Sequence, residues 1–177
     1  MTHTTPTLDR LVIYAAELAA SDPEAATLFP GQHWYAVRDG DPRAAGLYER
    51  HYSCVNLAKR KRTGDKRICG PGAHMVLLTV NCDALFVWRK ANFPDGAGQT
   101  GVYCVVFRNE STGLLSSALI LEAEQLAWQR WPGERLFTYV DPGKVRSVNP
   151  GACFKFAGWR LCGETKVNKL LILEKLP

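Results

Sequence analysis

The strongest constraint in this sequence is a block of three strand-like runs, residues 75–80, 84–88 and 101–107. Only Asn81, Cys82 and Asp83 separate the first two, a gap short enough for a hairpin. The second and third are joined by a loop carrying Phe93-Pro94-Asp95-Gly96-Ala97-Gly98. Residues 114–130 then read as the best helix of the chain, with Leu115, Leu119, Ala123, Leu126 and Ala127 on one face and Trp131-Pro132-Gly133 as its stop. A strand at 136–140, a turn at Asp141-Pro142-Gly143 and a short helix opened by Asn149-Pro150 and running through Ala157 follow. Gly158 breaks that helix, and residues 159–162 and 170–174 form a closing hairpin. The pattern predicts an α+β fold with a mixed, mostly antiparallel sheet flanked by helices. At 177 residues the chain suits one domain with a full-sized core.

Upstream of this block, Leu8, Leu11, Val12, Ala15, Ala16, Leu18 and Ala19 recur at helical spacing, ended by Ser21-Asp22-Pro23. A Pro/Gly-rich passage and an aromatic patch, His33-Trp34-Tyr35, come next. Asp41 as N-cap and Pro42 at the first helical position predict a second helix reaching towards His51 and Tyr52. Residues 1–70 thus read as N-terminal helices and a basic loop, and 74–177 as the sheet and core helices.

The charge is concentrated in that loop. Residues 50–67 hold seven basic side chains and one acid, a local +6, while the rest of the chain sums to −1. A focused positive field attracts polyanions and makes their binding salt-dependent, so nucleic acid or another phosphate-bearing partner is expected. A solvated basic loop without a partner is the alternative. The candidate contacts are Lys59, Arg60, Lys61, Arg62, Lys66 and Arg67 for phosphates, with Tyr52 as a stacking residue beside them.

No apolar run approaches the ~20 residues of a membrane helix, and the first ten residues lack the basic start and apolar core of a secretory signal. The expected compartment is the cytoplasm, with no membrane partner. The six cysteines contain no CxxC pair, so they read as reduced thiols and no metal site is expected.

Asn149-Pro-Gly-Ala152-Cys-Phe154-Lys-Phe-Ala-Gly158-Trp159, set in this order of elements, resembles the Asn…Ala…Tyr…Gly-Phe/Trp signature of the GNAT acyltransferase superfamily. Within it, Arg50-His51-Tyr52-Ser53, Asn109 with Ser116-Ser117, and Tyr139-Val140-Asp141 followed by Ala157-Gly158-Trp159 are similar to the phage Mom group of DNA-base-modifying proteins. The resemblance implies a GNAT-like fold and transfer of an acyl or aminoacyl-type group from acyl-CoA, or another acyl donor, to an amine of a nucleic-acid base. It assigns donor binding to Asn109, Gly113, Ser116, Ser117 and Asn149, since a strand-to-helix loop with free N–H groups cradles a pyrophosphate.

The loop departs from the family pattern. It has one glycine where the family has more, and the acidic Glu110 lies close by. The family's tyrosine acid falls at Phe154, which has no exchangeable proton. Tyr139 and Asp141 are the nearest replacements in this layout, and His51 is a candidate base near neutral pH. Two other readings stay open: an acetyl-CoA-dependent transferase for a small amine or a protein, and a non-catalytic GNAT-like binding module.

Overall fold

A computed structural model describes residues 33–55 and 57–177. The helix expected over residues 8–19 and the Pro/Gly-rich passage before residue 33 lie outside the described residues.

Seven strands and four helices make up this part of the chain: β1 (Trp34–Val37), α1 (Pro42–Glu49), α2 (Leu57–Thr63), β2 (Ala73–Thr79), β3 (Ala84–Lys90), β4 (Val102–Asn109), α3 (Ser116–Arg130), β5 (Leu136–Val140), α4 (Ala152–Phe156), β6 (Arg160–Glu164) and β7 (Leu171–Lys175). The strands form one open sheet in the order β1-β2-β3-β4-β5-β7-β6. Every neighbouring pair is antiparallel except β4 and β5. Those two run parallel because α3 carries the chain back between them, as a crossover must. The fold is therefore α+β with a mostly antiparallel sheet. No helix among the described residues is long and apolar enough to cross a membrane.

Strand alternation sends side chains to two cores. Met75, Leu77, Ala84, Phe86, Trp88, Val102 and Cys104 meet α3 and α4 on one face. Val76, Leu78, Leu85 and Val87 meet Ala44, Leu47 and Tyr48 of α1 on the other. Two indoles fix α3 to the sheet: Trp34 Nε1 donates to the Leu119 carbonyl at 2.8 Å and Trp88 Nε1 to that of Ala123 at 3.0 Å. Each satisfies a buried N–H that is costly to leave unpaired.

The basic stretch is not the loop its charge suggests. Leu, Ala, Lys and Arg are strong helix formers, and residues 57–63 become α2, followed by Gly64 in the left-handed region at φ 69°. The long helix also starts later than its periodicity suggests. Leu115 is its N-cap, 75% exposed, rather than part of the apolar face. The short helix is likewise trimmed to residues 152–156, because Gly151 adopts φ 76°, and a Cβ there would sit 2.5 Å from Leu173 Cδ1.

One irregularity shapes the middle of the sheet. Val87 pairs with Val106 but Trp88 pairs with Cys104, which leaves Val105 as an extra residue in β4. The bulge reverses the alternation. Cys104 faces α3, Val105 and Val106 both pack on the α1 side, and Phe107 returns to the α3 side.

Candidate functional site

The parallel pairing of β4 with β5 covers three residues only, Val102–Leu136, Tyr103–Phe137 and Cys104–Thr138. Beyond that point β4 continues against β3 as far as Asn109, while Tyr139 and Val140 stay paired with β7. The pairing thus stops where the bulge begins, and this parting of the ends of β4 and β5 is the candidate mouth. The last tie across it is the Thr138 hydroxyl, donating to the Cys104 carbonyl at 3.1 Å.

Aromatic groups of the core pack on the α3 side of this part of the sheet. Phe107 meets Phe154 of α4 with ring centroids 5.9 Å apart, and Phe154 meets Trp159 at 4.9 Å. Trp159 belongs to the core: it stacks on Trp88, and its indole N–H donates to the buried Glu124 carboxylate. Burial pushes the Glu124 carboxyl above its ordinary range, opposed by Trp159 and by Lys175, whose Nζ lies 3.5 Å away.

Tyr52 reaches the mouth. The Asp141 backbone, just past β5, lies near its hydroxyl, as do the thiols of Cys104 and Cys153. Burial raises the phenol pKa, so Tyr52 is protonated at neutral pH. Still, 37% of the residue is exposed. The hydroxyl lies at the parting of the two strands, while the partly exposed ring follows directly on the turn that leads to the basic segment.

His51 lies beside it, with ring centroids 4.3 Å apart. Both residues sit in turns that follow α1. The Ser53 N–H donates to His51 Nδ1 at 3.2 Å, and the Ser53 hydroxyl contacts the same nitrogen at 2.7 Å. Burial and then the nearby Arg108 cation depress the imidazole pKa to about 4. His51 is thus neutral at pH 7, with Nδ1 already engaged. This turn is held to β4 by Arg108, whose Nη1 donates to the Arg50 carbonyl at 2.6 Å.

Glu110 is no obstacle to an anion. Its carboxylate pairs with Arg50 at 2.8 Å and Arg108 at 2.5 Å. The Arg50 hydrogen bonds foremost hold its pKa down to about 2. The negative charge feared from the sequence is matched on the spot. Asn109 shapes the following loop: its Nδ2 donates to the Leu114 carbonyl at 2.9 Å and Ser116 Oγ at 3.1 Å, and its Oδ1 accepts the Ser111 N–H. Gly113 donates its N–H to Ser111 Oγ. The N-terminus of α3, with Ser116 and Ser117, has no side-chain cap.

Two expected catalytic groups lie elsewhere. Alternation along β5 turns Tyr139 to the face away from α3, where its hydroxyl donates to Asp95 at 2.5 Å. The Asp141 side chain closes its own turn by accepting the Gly143 N–H at 2.9 Å. Only the Asp141 backbone serves the mouth. Asn149 binds Lys155 Nζ at 2.6 Å, at the start of α4.

The basic residues divide. Lys59, Lys61, Arg62, Lys66 and Arg67 are exposed, and Arg67 pairs with Asp65 at 3.4 Å. Arg60 is turned inward at 9% exposure. Its guanidinium lies over the Tyr48 ring at 5.0 Å and gives Nη1 to the Arg67 carbonyl, while Nε and Nη2 are buried without a partner. It cannot serve as a phosphate contact in this arrangement.

Sequence reasoning missed Asp95, whose Asx-type turn signal within Pro94-Asp95-Gly96 was visible but had no partner until β5 was placed. No family model matches the chain, and no curated protein matches it by sequence.

Proposed function

We propose that the protein is a GNAT-like transferase that moves an acyl or aminoacyl-type group onto an amine of a nucleic-acid base. The observation that carries this reading is the mouth between β4 and β5, bordered by the uncapped start of α3 and by the Tyr52 hydroxyl. A splayed sheet of this kind is what the Asn149…Gly158-Trp159 resemblance calls for. The exposed cations of α2 support a polyanionic acceptor.

The residues present fit an acyl-CoA-type donor. Uncapped backbone N–H groups at Ser116 and Ser117 suit a pyrophosphate, and the neutralised Glu110 does not repel one. Such a donor would supply an activated thioester carbonyl. The chain's own contributions are a protonated phenol at Tyr52, beside the Asp141 backbone, and a neutral imidazole at His51 oriented by Ser53. Tyr52 takes the proton-donor role that Phe154 cannot fill, in place of Tyr139.

The test is mass spectrometry of nucleosides from DNA of cells expressing the protein. The expected result is a mass-shifted nucleoside that disappears with Tyr52→Phe and with His51→Ala. Unmodified nucleosides from cells with abundant folded protein refute the reading. A non-catalytic binding module is the second reading, favoured by Phe154 and by Asn109 having both ends of its amide engaged within its own loop. DNA retention without any mass shift is its signature.

A further inference from the structure

On the sheet face opposite α3 lies a cavity of about 430 Å³ that the mouth does not use. That volume falls in the range of small-molecule sites. Its floor is aromatic: the cross-strand pair Tyr103 and Phe137 stack on each other, with centroids 5.2 Å apart, and Phe137 is buried beneath the Arg135 guanidinium, so Tyr103 is the partly open ring of the two. Its wall is the loop between β3 and β4, residues 91–101, which includes Phe93 and Asp95. Asp95 pins that loop across the floor. Its Oδ1 accepts the N–H groups of Ala97 and Gln99, both at 2.9 Å, and its Oδ2 accepts the Tyr139 hydroxyl. Phe93 stands on the rim with 81% of its surface exposed, an apolar ring with nothing to cover it.

Two further observations say what the cavity takes. Arg89 and Pro71 form the side next to the basic segment, with Arg89 Nε donating to the Pro71 carbonyl at 2.9 Å. Pro71 lies only four residues past Arg67, so the cationic surface of Lys59, Lys61, Arg62, Lys66 and Arg67 runs by chain continuity into the cavity wall. The uncovered Phe93 ring and the half-buried Tyr103 ring, beside a row of cations, match a stacked base with its phosphates alongside. The floor also lies one residue from the last paired position of β4 and β5, Cys104 and Thr138, so its occupant abuts the mouth from the far side of the sheet.

We infer that this cavity, floored by Tyr103 and Phe137 and rimmed by Phe93, binds a single unpaired base of a nucleic-acid strand whose backbone follows α2. This deepens the transferase reading and rests on it for the role of acceptor, though base binding itself does not require transfer.

The experiment compares a fluorescein-labelled oligothymidylate with an abasic strand of equal length and charge, by fluorescence anisotropy. The wild-type chain binds the base-bearing strand about tenfold or more tightly, as one base stacked on an aromatic ring contributes. Phe93→Ala, at an exposed position that leaves the fold intact, and Tyr103→Leu, which keeps apolar bulk but no flat ring, each lower that preference. Lys59→Ala/Lys61→Ala/Arg62→Ala weakens both strands equally. Equal wild-type affinity for the two strands overturns the inference. So does a preference that survives both Phe93→Ala and Tyr103→Leu. Base preference without modified nucleosides refutes the transferase and leaves the cavity assignment standing; modified nucleosides without base preference do the reverse.

Discussion

The depressed pKa of His51 makes a stability signature that geometry alone would not. The unfolded chain carries this histidine at its ordinary pKa of about 6.5, and the folded chain at about 4. Between those values the unfolded state binds more protons, so stability is lost as pH falls from about 6.5 towards about 4. At pH 5 the unfolded imidazole is almost fully charged, whereas the folded one is charged in roughly a tenth of molecules. The difference between pH 7 and pH 5 is at most about 2 kcal/mol, or about 1.4 kcal/mol per unit in the steep part. Its source is local: the ring is buried with its Nδ1 bound to Ser53, and the facing cation is Arg108, itself paired with Glu110 beside Arg50. The assay is urea unfolding at pH 7 and pH 5 for the wild type and for His51→Asn, whose side-chain oxygen can still accept from Ser53. The wild type should lose about 2 kcal/mol more than the variant over that interval. Equal losses in the two proteins refute the account, because every other ionisable group is common to both.

Four further outcomes follow from the structure. Gly151→Ala combines a left-handed backbone with a 2.5 Å approach to Leu173 Cδ1, so thermal unfolding should show a loss of about 1–3 kcal/mol. Glu124→Leu leaves the Trp159 indole N–H without its acceptor while Lys175 keeps the Ala157 carbonyl, and chemical denaturation should register a loss of about 1–3 kcal/mol. Lys59→Ala/Lys61→Ala/Arg62→Ala should cut the salt slope of single-strand binding by about 2, at 0.7 per cation. Arg60→Met should leave that slope unchanged and the fold as stable or more so, since it removes two buried donors without partners.

Much of the fold could be read from residues near one another in sequence. The hairpin at Asn81–Asp83 and the Asp41-Pro42 start of α1 are local chemistry, and Asp41 indeed accepts the Arg43 N–H. The first strand was hidden because His33-Trp34-Tyr35 offers too few residues for alternation to show. Charge misled in the basic stretch, where helix propensity and the Arg60–Tyr48 contact decide the conformation. The site was legible in its members more than in their roles. Tyr52 and His51 both belong beside the mouth, yet Tyr139 does not, because period-two alternation along β5 turns it to the other face with Phe137. The bulge at Val105 left no mark in the sequence, since Val105 and Val106 read as ordinary strand residues, and only pairing with β3 reveals the extra one.

The position of β7 bears on how the molecule is made. This strand is translated after all the others, yet it lies between β5 and β6, with Leu173 fully enclosed. Until the ribosome has released it, β5 presents a bare hydrogen-bonding border and β6 has nothing to zip onto. A nascent chain therefore holds β5 in an incomplete, sticky form while residues 141–170 are made, and a premature stop before Leu171 would yield a species fit for aggregation or proteolysis rather than a smaller working protein.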